Sequence, residues 1–168
     1  IKEFHSYFNN AVNGNVGEYK SYIIKNNIAD AERIAALKKF LDKNGIQYAA
    51  GTGNGKGYNY LSKKEEAFTV NNGDVVIYSN QPKASLVKVL FEPQTKLVDS
   101  ITYDITAWSV PYIFGLTAYA SKATISSTVS SITSPINNDA ADVYGYAIRW
   151  QGSTSVKVIS QLLQNNIK

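Results

Sequence analysis

Between Tyr19 and Ala50 the apolar residues change period twice, and this constrains the fold more than any other feature of the sequence. The run YKSYII (19–24) is rich in β-favouring residues. It is followed by Asp30, a residue suited to a helix N-cap, and by Ile34, Leu37 and Leu41 at the i, i+3, i+7 spacing of one helical face. Asn44-Gly45 then marks a helix end, and IQYAA (46–50) returns to strand character. The spacing predicts a β-α-β unit over 19–50 with a right-handed crossover. An α/β class follows.

The remaining chain is read around that unit. Phe4, Tyr7 and Phe8 mark a short N-terminal helix packed on the body, closed by the turn signal Asn13-Gly14-Asn15. Residues 51–60 (GTGNGKGYNY) are expected to be a glycine-rich loop. Phe68–Val70 and Val75–Tyr78 are expected to pair as a hairpin about Asn72-Gly73. Gln81-Pro82 opens a helix carrying Leu86, Val87, Leu90 and Phe91, which Pro93 ends. The apolar stretch 99–120, broken by Pro111 and Gly115, is expected to be buried and irregular or short-helical. A Ser/Thr-rich segment at 121–139 is the best internal boundary, an exposed linker or edge between a domain at 1–120 and a second, truncated β-α unit at 140–168. In that unit VYGYAIRW (143–150) is the expected strand. Val156–Leu163 is the expected helix, with Ile159, Leu162 and Leu163 inward.

The last unit echoes the first. YIIK (22–25) matches YAIR (146–149), and LDKNGI (41–46) is echoed by LLQNNI (162–167) after one turn less of helix. A strand follows at once in the first copy, so the parent polypeptide is expected to continue past Lys168 with a strand. The chain begins at Ile1 and contains no methionine, so it reads as a processed chain or a fragment, with any targeting signal upstream.

Composition limits the chemistry. At 44% hydrophobic residues, 18% charged and 12 tyrosines, the chain is too apolar for a disordered tail. Its charge of +4 comes from 17 basic and 13 acidic residues, with the lysines scattered rather than striped, against a nucleic-acid surface. No apolar run reaches the length of a membrane span. With no cysteine and one histidine, neither a thiolate nucleophile nor a two-histidine catalytic zinc site is available. His5 would have to serve any serine triad from a peripheral segment. GTGNGK (51–56) is one residue short of a phosphate-binding loop and lacks the hydroxyl that would follow the lysine. Glu92, Asp99 and Asp104 are the carboxylates available for glycosidase-type pairing, though surface or capping roles suit them better. The most specified side chains are Gln81, Tyr103, Trp108 and Tyr112, expected as an interface if exposed. Trp108 and Tyr112 are weighed toward the core.

Residues 75–120 (VVIYSNQPKASLVKVLFEPQTKLVDSITYDITAWSVPYIFGLTAYA) resemble a segment downstream of the catalytic domain in large bacterial zinc carboxypeptidases of the carboxypeptidase A-like family. QP, LFEP, DS-TYDITAW and PY-GL are the distinctive pieces, and YKSYII, KGYNY and GYAIRW extend the resemblance over most of 19–168. The resemblance implies a secreted or periplasmic metallopeptidase whose zinc is held in an upstream domain, followed by a region similar to class I glutamine amidotransferase-like domains. No cofactor is expected in this chain, and no catalytic residue of the family maps onto it. The combined expectation is a partial flavodoxin-like or amidotransferase-like sheet with flanking helices and a β-hairpin insertion. Such a domain would serve as a non-catalytic accessory or scaffold whose partner is the peptidase domain of the same polypeptide. The alternative is a module that binds peptide or glycan through tyrosines at 57–60 and the aromatic stretch 103–119.

Overall fold

The computed structural model of the chain describes residues 2–94, 108–126, 147–148, 150 and 153–167. The elements run α1 (Lys2–Val12), β1 (Ser21–Ile24), a 3-10 turn (Ile28–Asp30), α2 (Ala31–Lys43), β2 (Tyr48–Ala50), β3 (Gly53–Asn59) and β4 (Glu65–Val70). They continue with β5 (Val75–Tyr78), α3 (Ala84–Phe91), α4 (Val110–Phe114), β6 (Ala118–Ser121) and α5 (Ser153–Gln164).

Among the described residues the strands form one sheet in the order β2-β5-β1-β6-β3-β4, with every neighbouring pair antiparallel. This overturns the expected parallel, flavodoxin-like or amidotransferase-like sheet. The strand-helix-strand order is present, and β1 and β2 run in the same direction because both oppose β5. They do not pair, since β5 lies between them. The α2 crossover therefore spans two strand spacings, about 9–10 Å. On its other side β1 pairs with β6, with Tyr22 opposite Ala120, so β1 has an antiparallel neighbour on both edges.

Alternation along β1 explains how one short strand serves two cores. Tyr22 and Ile24 join Val75, Ile77 and Ala118 beneath α2 and α3, where Ile34, Leu37, Leu41, Val87 and Phe91 are buried. Ile23 points to the opposite face with Val76, Phe68, Val70 and Ile125. The helix α2 forms from strong helix formers. Asp30 stands at its N-cap but makes no side-chain capping bond, and its carboxylate is taken by Arg33 instead. Gly45, at φ +64°, closes the helix. The Ile46 amide donates to the Leu41 carbonyl (3.0 Å) and the Gly45 amide to that of Asp42 (3.1 Å).

The glycine-rich 51–60 segment is mostly strand β3, not a loop, and its glycines provide clearance. A Cβ at Gly57 would stand 2.4 Å from the Ala120 carbonyl oxygen, and one at Gly55 would stand 2.7 Å from the Phe68 ring and 2.9 Å from Ile125. The expected hairpin is also corrected. β4 pairs with β3 and β5 with β1 and β2, so the turn at Asn72-Gly73 separates two strands that lie far apart in the sheet. The hairpin that forms is β3–β4. There Asn59 Oδ1 accepts from the Leu61 amide (2.8 Å) and Asn59 Nδ2 donates to Glu66 (2.7 Å).

Three further expectations change. β6, within the stretch read as irregular, is an inner strand whose Ala118, Ala120 and Ser121 are fully enclosed. The helix α1 forms, but Ala11 is its one buried residue, and Phe4, Tyr7, Phe8 and Val12 are exposed. In α5, Ile159 and Leu162 are half-buried while Leu163 is exposed. Ala147, Ile148 and Trp150 carry no regular structure, and the rest of the strand expected at 143–150 lies outside the described residues, as does most of 121–139.

Candidate functional site

A concave site lies where β2 meets the end of β5, and Gln81 builds it. The turn after β5 brings its side chain back onto the residue that precedes β2. Its Oε1 accepts from the Gln47 amide (2.8 Å), while its Nε2 donates to the carbonyls of Gln47 (3.0 Å) and Tyr78 (2.7 Å). The amide thus stands in for a strand residue, giving partners to the partly buried backbone groups of Gln47 and Tyr78. Gln81 itself is 2% exposed.

The opposite wall is the segment following β6. The Tyr78 hydroxyl donates to the Ile125 carbonyl (2.9 Å), and the Ile125 amide donates to Ser21 Oγ (3.1 Å). Ser121 Oγ donates to the Lys56 carbonyl (3.0 Å) and accepts from the Ala123 amide (3.2 Å). Between these walls is an open cleft of about 500 Å³, lined by Gln47, Tyr48, Ala49, Tyr78, Asn80, Gln81, Thr124, Ile125 and Ser126. Its size falls in the range of small-ligand sites. Every lining side chain is neutral at pH 7, and burial, with Asp42 adding to it, pushes the Tyr48 hydroxyl above its ordinary range. Such a lining can hydrogen-bond and stack; it offers no group poised to move a proton.

No family model matches the chain, and no curated protein or solved structure matches it either. The functional reading therefore rests on the residues themselves.

The other sequence-selected residues are not brought together. Tyr112 is half-buried on the helical core, edge-on to Tyr60 at 5.2 Å. Trp108 is 70% exposed, so weighing both rings toward the core holds for Tyr112 only. Tyr103, Asp99 and Asp104 lie outside the described residues. His5 is exposed on α1. Among the described residues no group of three or more His, Cys, Asp or Glu side chains could hold a metal ion. Among them, too, no helix is long and apolar enough to cross a membrane.

The tyrosines expected to form a recognition loop at 57–60 are in the core. Tyr58 is 8% and Tyr60 1% exposed, and the Tyr60 hydroxyl donates to the Phe91 carbonyl. Burial, with Glu18 next in effect, pushes Tyr19 up to about 12. Burial, followed by a hydrogen bond with Tyr58, does the same for Tyr112. Tyr60, the most enclosed, is held well above its ordinary value, again chiefly by burial.

Two features escaped the sequence reading. Asp74, 1% exposed, pairs with Lys25 and accepts from the amides of Asn26 (2.7 Å) and Asn71 (2.8 Å). It fastens the turn before β5 to the end of β1. Its only signal was the Asn-Asn-Gly-Asp string, which reads equally well as an exposed turn. The cleft left no signal at all, because it is assembled from 47–49, 78–81 and 124–126.

Proposed function

We propose that this chain is a non-catalytic accessory domain of a bacterial zinc carboxypeptidase, secreted or periplasmic, that docks on the peptidase domain of the same polypeptide. The observation that carries the reading is the aromatic side of α1. Phe4, Tyr7, Phe8 and Val12 are 66%, 49%, 38% and 45% exposed, with Phe4 and Phe8 in edge contact at 4.8 Å. Four neighbouring apolar side chains on one short helix are more than scattered surface residues. Aromatic anchors of this kind dominate interfaces. The burial of Tyr58 and Tyr60 favours this role over a tyrosine-lined recognition loop.

The test is titration of the isolated upstream peptidase domain with this chain by calorimetry. Saturable binding that the F4A/F8A double variant weakens at least tenfold is expected. Binding that is unaffected by the double variant moves the interface elsewhere.

The cleft beside Gln81 favours a second reading, a site for a neutral peptide or glycan. Titration with short peptides and oligosaccharides, followed by NMR, would then shift the Gln47 and Gln81 signals together.

A further inference from the structure

Asn-Gly steps stand at 13–14, 44–45, 54–55 and 72–73. Each is a place where a chain can modify itself in water. The backbone nitrogen of the glycine, once it has lost its proton to hydroxide, attacks Cγ of the asparagine side chain, and glycine hinders this attack less than any other residue. The step is intramolecular, so its rate depends on whether nitrogen and Cγ are free to reach near-attack geometry. The fold holds these steps in different ways.

At the end of α2, Asn44 Nδ2 donates to the Phe40 carbonyl (2.8 Å) and the Gly45 amide to that of Asp42 (3.1 Å). In β3, Asn54 Oδ1 accepts from Thr69 Oγ1 (2.9 Å), and Asn54 and Gly55 are paired with Thr69 and Phe68 of β4. After α1 the Asn13 side chain is exposed, but the Gly14 amide donates to the Ala11 carbonyl (3.3 Å). At 72–73 neither reacting group is tied. Asn72 is exposed, and among the described residues its side chain and the Gly73 amide have no hydrogen-bond partner. The turn is closed instead by the Asp74 amide, which donates to the Asn71 carbonyl (3.1 Å), with Gly73 at φ +98° in the third place. Glycine is required there, because a Cβ would stand 2.7 Å from Asn26 Nδ2.

We propose that Asn72 is the site at which this chain modifies itself, becoming aspartate or isoaspartate. The bond that forms joins the Gly73 nitrogen to Asn72 Cγ; the Cγ–Nδ2 bond breaks, and the nitrogen takes a proton from water and leaves as ammonia. Water then opens the succinimide ring. Addition at Cγ gives aspartate, and addition at the main-chain carbonyl gives isoaspartate, whose backbone is one carbon longer. Asparagine and water become an acidic residue and ammonia, with nothing oxidised or reduced. Either product places a carboxylate two residues from Asp74, the buried partner of Lys25 and acceptor of the Asn26 and Asn71 amides. Isoaspartate also lengthens the short link between β4 and β5. The change therefore loosens the fastening of this turn to the end of β1, whatever the chain docks against.

The experiment ages the full chain at mildly alkaline pH, once folded and once in concentrated urea, and maps the products by peptide mass spectrometry, with enzymatic isoaspartyl methylation marking the rearranged residue. In urea the Asn-Gly steps are expected to convert at similar rates. In the folded chain Asn72 is expected to convert first, roughly tenfold faster than Asn44 or Asn54 and ahead of Asn13. Faster conversion at any of those three, no conversion at Asn72, or rates as unequal in urea as in the folded chain would overturn the proposal. Asn72→Ala, at an exposed position, should fold and lose the fastest conversion. The aged product carries one more negative charge and separates by ion exchange; it is expected to unfold at a lower urea concentration than the parent. Asn72→Asp, which has the charge without the longer backbone, should fall between them. Equal midpoints for all three would overturn the loosening.

Discussion

On the helical side of the sheet Leu37, Leu41, Val87 and Phe91 of two helices pack over the inner strands, whereas on the other side the strand residues Ile23, Phe68, Val70 and Val76 are covered, among the described residues, by Ile125 of one short segment. The first face is closed by regular elements whose side chains interdigitate. The second is closed, among the described residues, by 122–126, held there by a hydrogen bond that the Tyr78 hydroxyl donates and by two that Ser21 Oγ and Ser121 Oγ accept. The cleft opens on that second face. Stability is concentrated where packing is deep, and the concave polar surface is found where the cover is a segment without regular structure, a division that matches the usual placement of binding groups on loops over a rigid scaffold.

The largest effect expected from this contrast is on Leu37. Leu37→Ala should cost about 3–4 kcal/mol, because α2 cannot collapse into the space, and Ile125→Ala about 1–2 kcal/mol, because its segment can relax. Urea unfolding of the two variants checks the difference, and equal losses would break the comparison. Gly57→Ala should follow at about 2–3 kcal/mol, since the new methyl meets the Ala120 backbone and not a flexible side chain. A stability within experimental error of the parent would remove the clearance argument for β3. Gln81→Ala should cost about 1–3 kcal/mol by leaving the Gln47 backbone unpaired, and hydrogen exchange at the Gln47 amide should accelerate while the α2 amides stay protected. Uniform acceleration would mean that the cleft and the helical core are one unit.

The smallest effect near neutrality is on the tyrosines of the helical face. Their hydroxyls hold protons more tightly when folded than the ordinary value near 10 of an unfolded chain. The stability they contribute is therefore complete below pH 10 and declines as the pH rises toward 12. Spectrophotometric titration should show Tyr19 and Tyr112 ionising near 12 and Tyr60 ionising only with unfolding. Ionisation of all tyrosines near 10 without unfolding would contradict their burial.

The helices were legible because their signals are local: the 3.6-residue spacing of Ile34, Leu37 and Leu41, the Asn44-Gly45 stop and Pro93 after α3 each act within a few residues. Strand partners were not. β1 finds β5 and β6 more than fifty and ninety residues away, and nothing in SYII distinguishes an antiparallel from a parallel neighbour. β3 was hidden because its glycines answer to Phe68, Ile125 and Ala120, residues that approach only in the folded sheet. β6 was hidden by its apolar context, in which AYAS has no alternation to read. Of the selected residues, Gln81 does belong to the concave site, although its polar atoms serve the backbone. The neutral lining around it comes from three separated segments.

The role proposed above is to assist a peptidase without itself cleaving. The most direct measurement is zinc-dependent release of C-terminal amino acids by three samples: the full-length polypeptide, the same polypeptide lacking this region, and this chain alone. The account predicts release by the first, a reduced rate for the second with its peptidase domain still folded, and none from the third. An unchanged rate in the second sample, or zinc-dependent release by this chain alone, would contradict it.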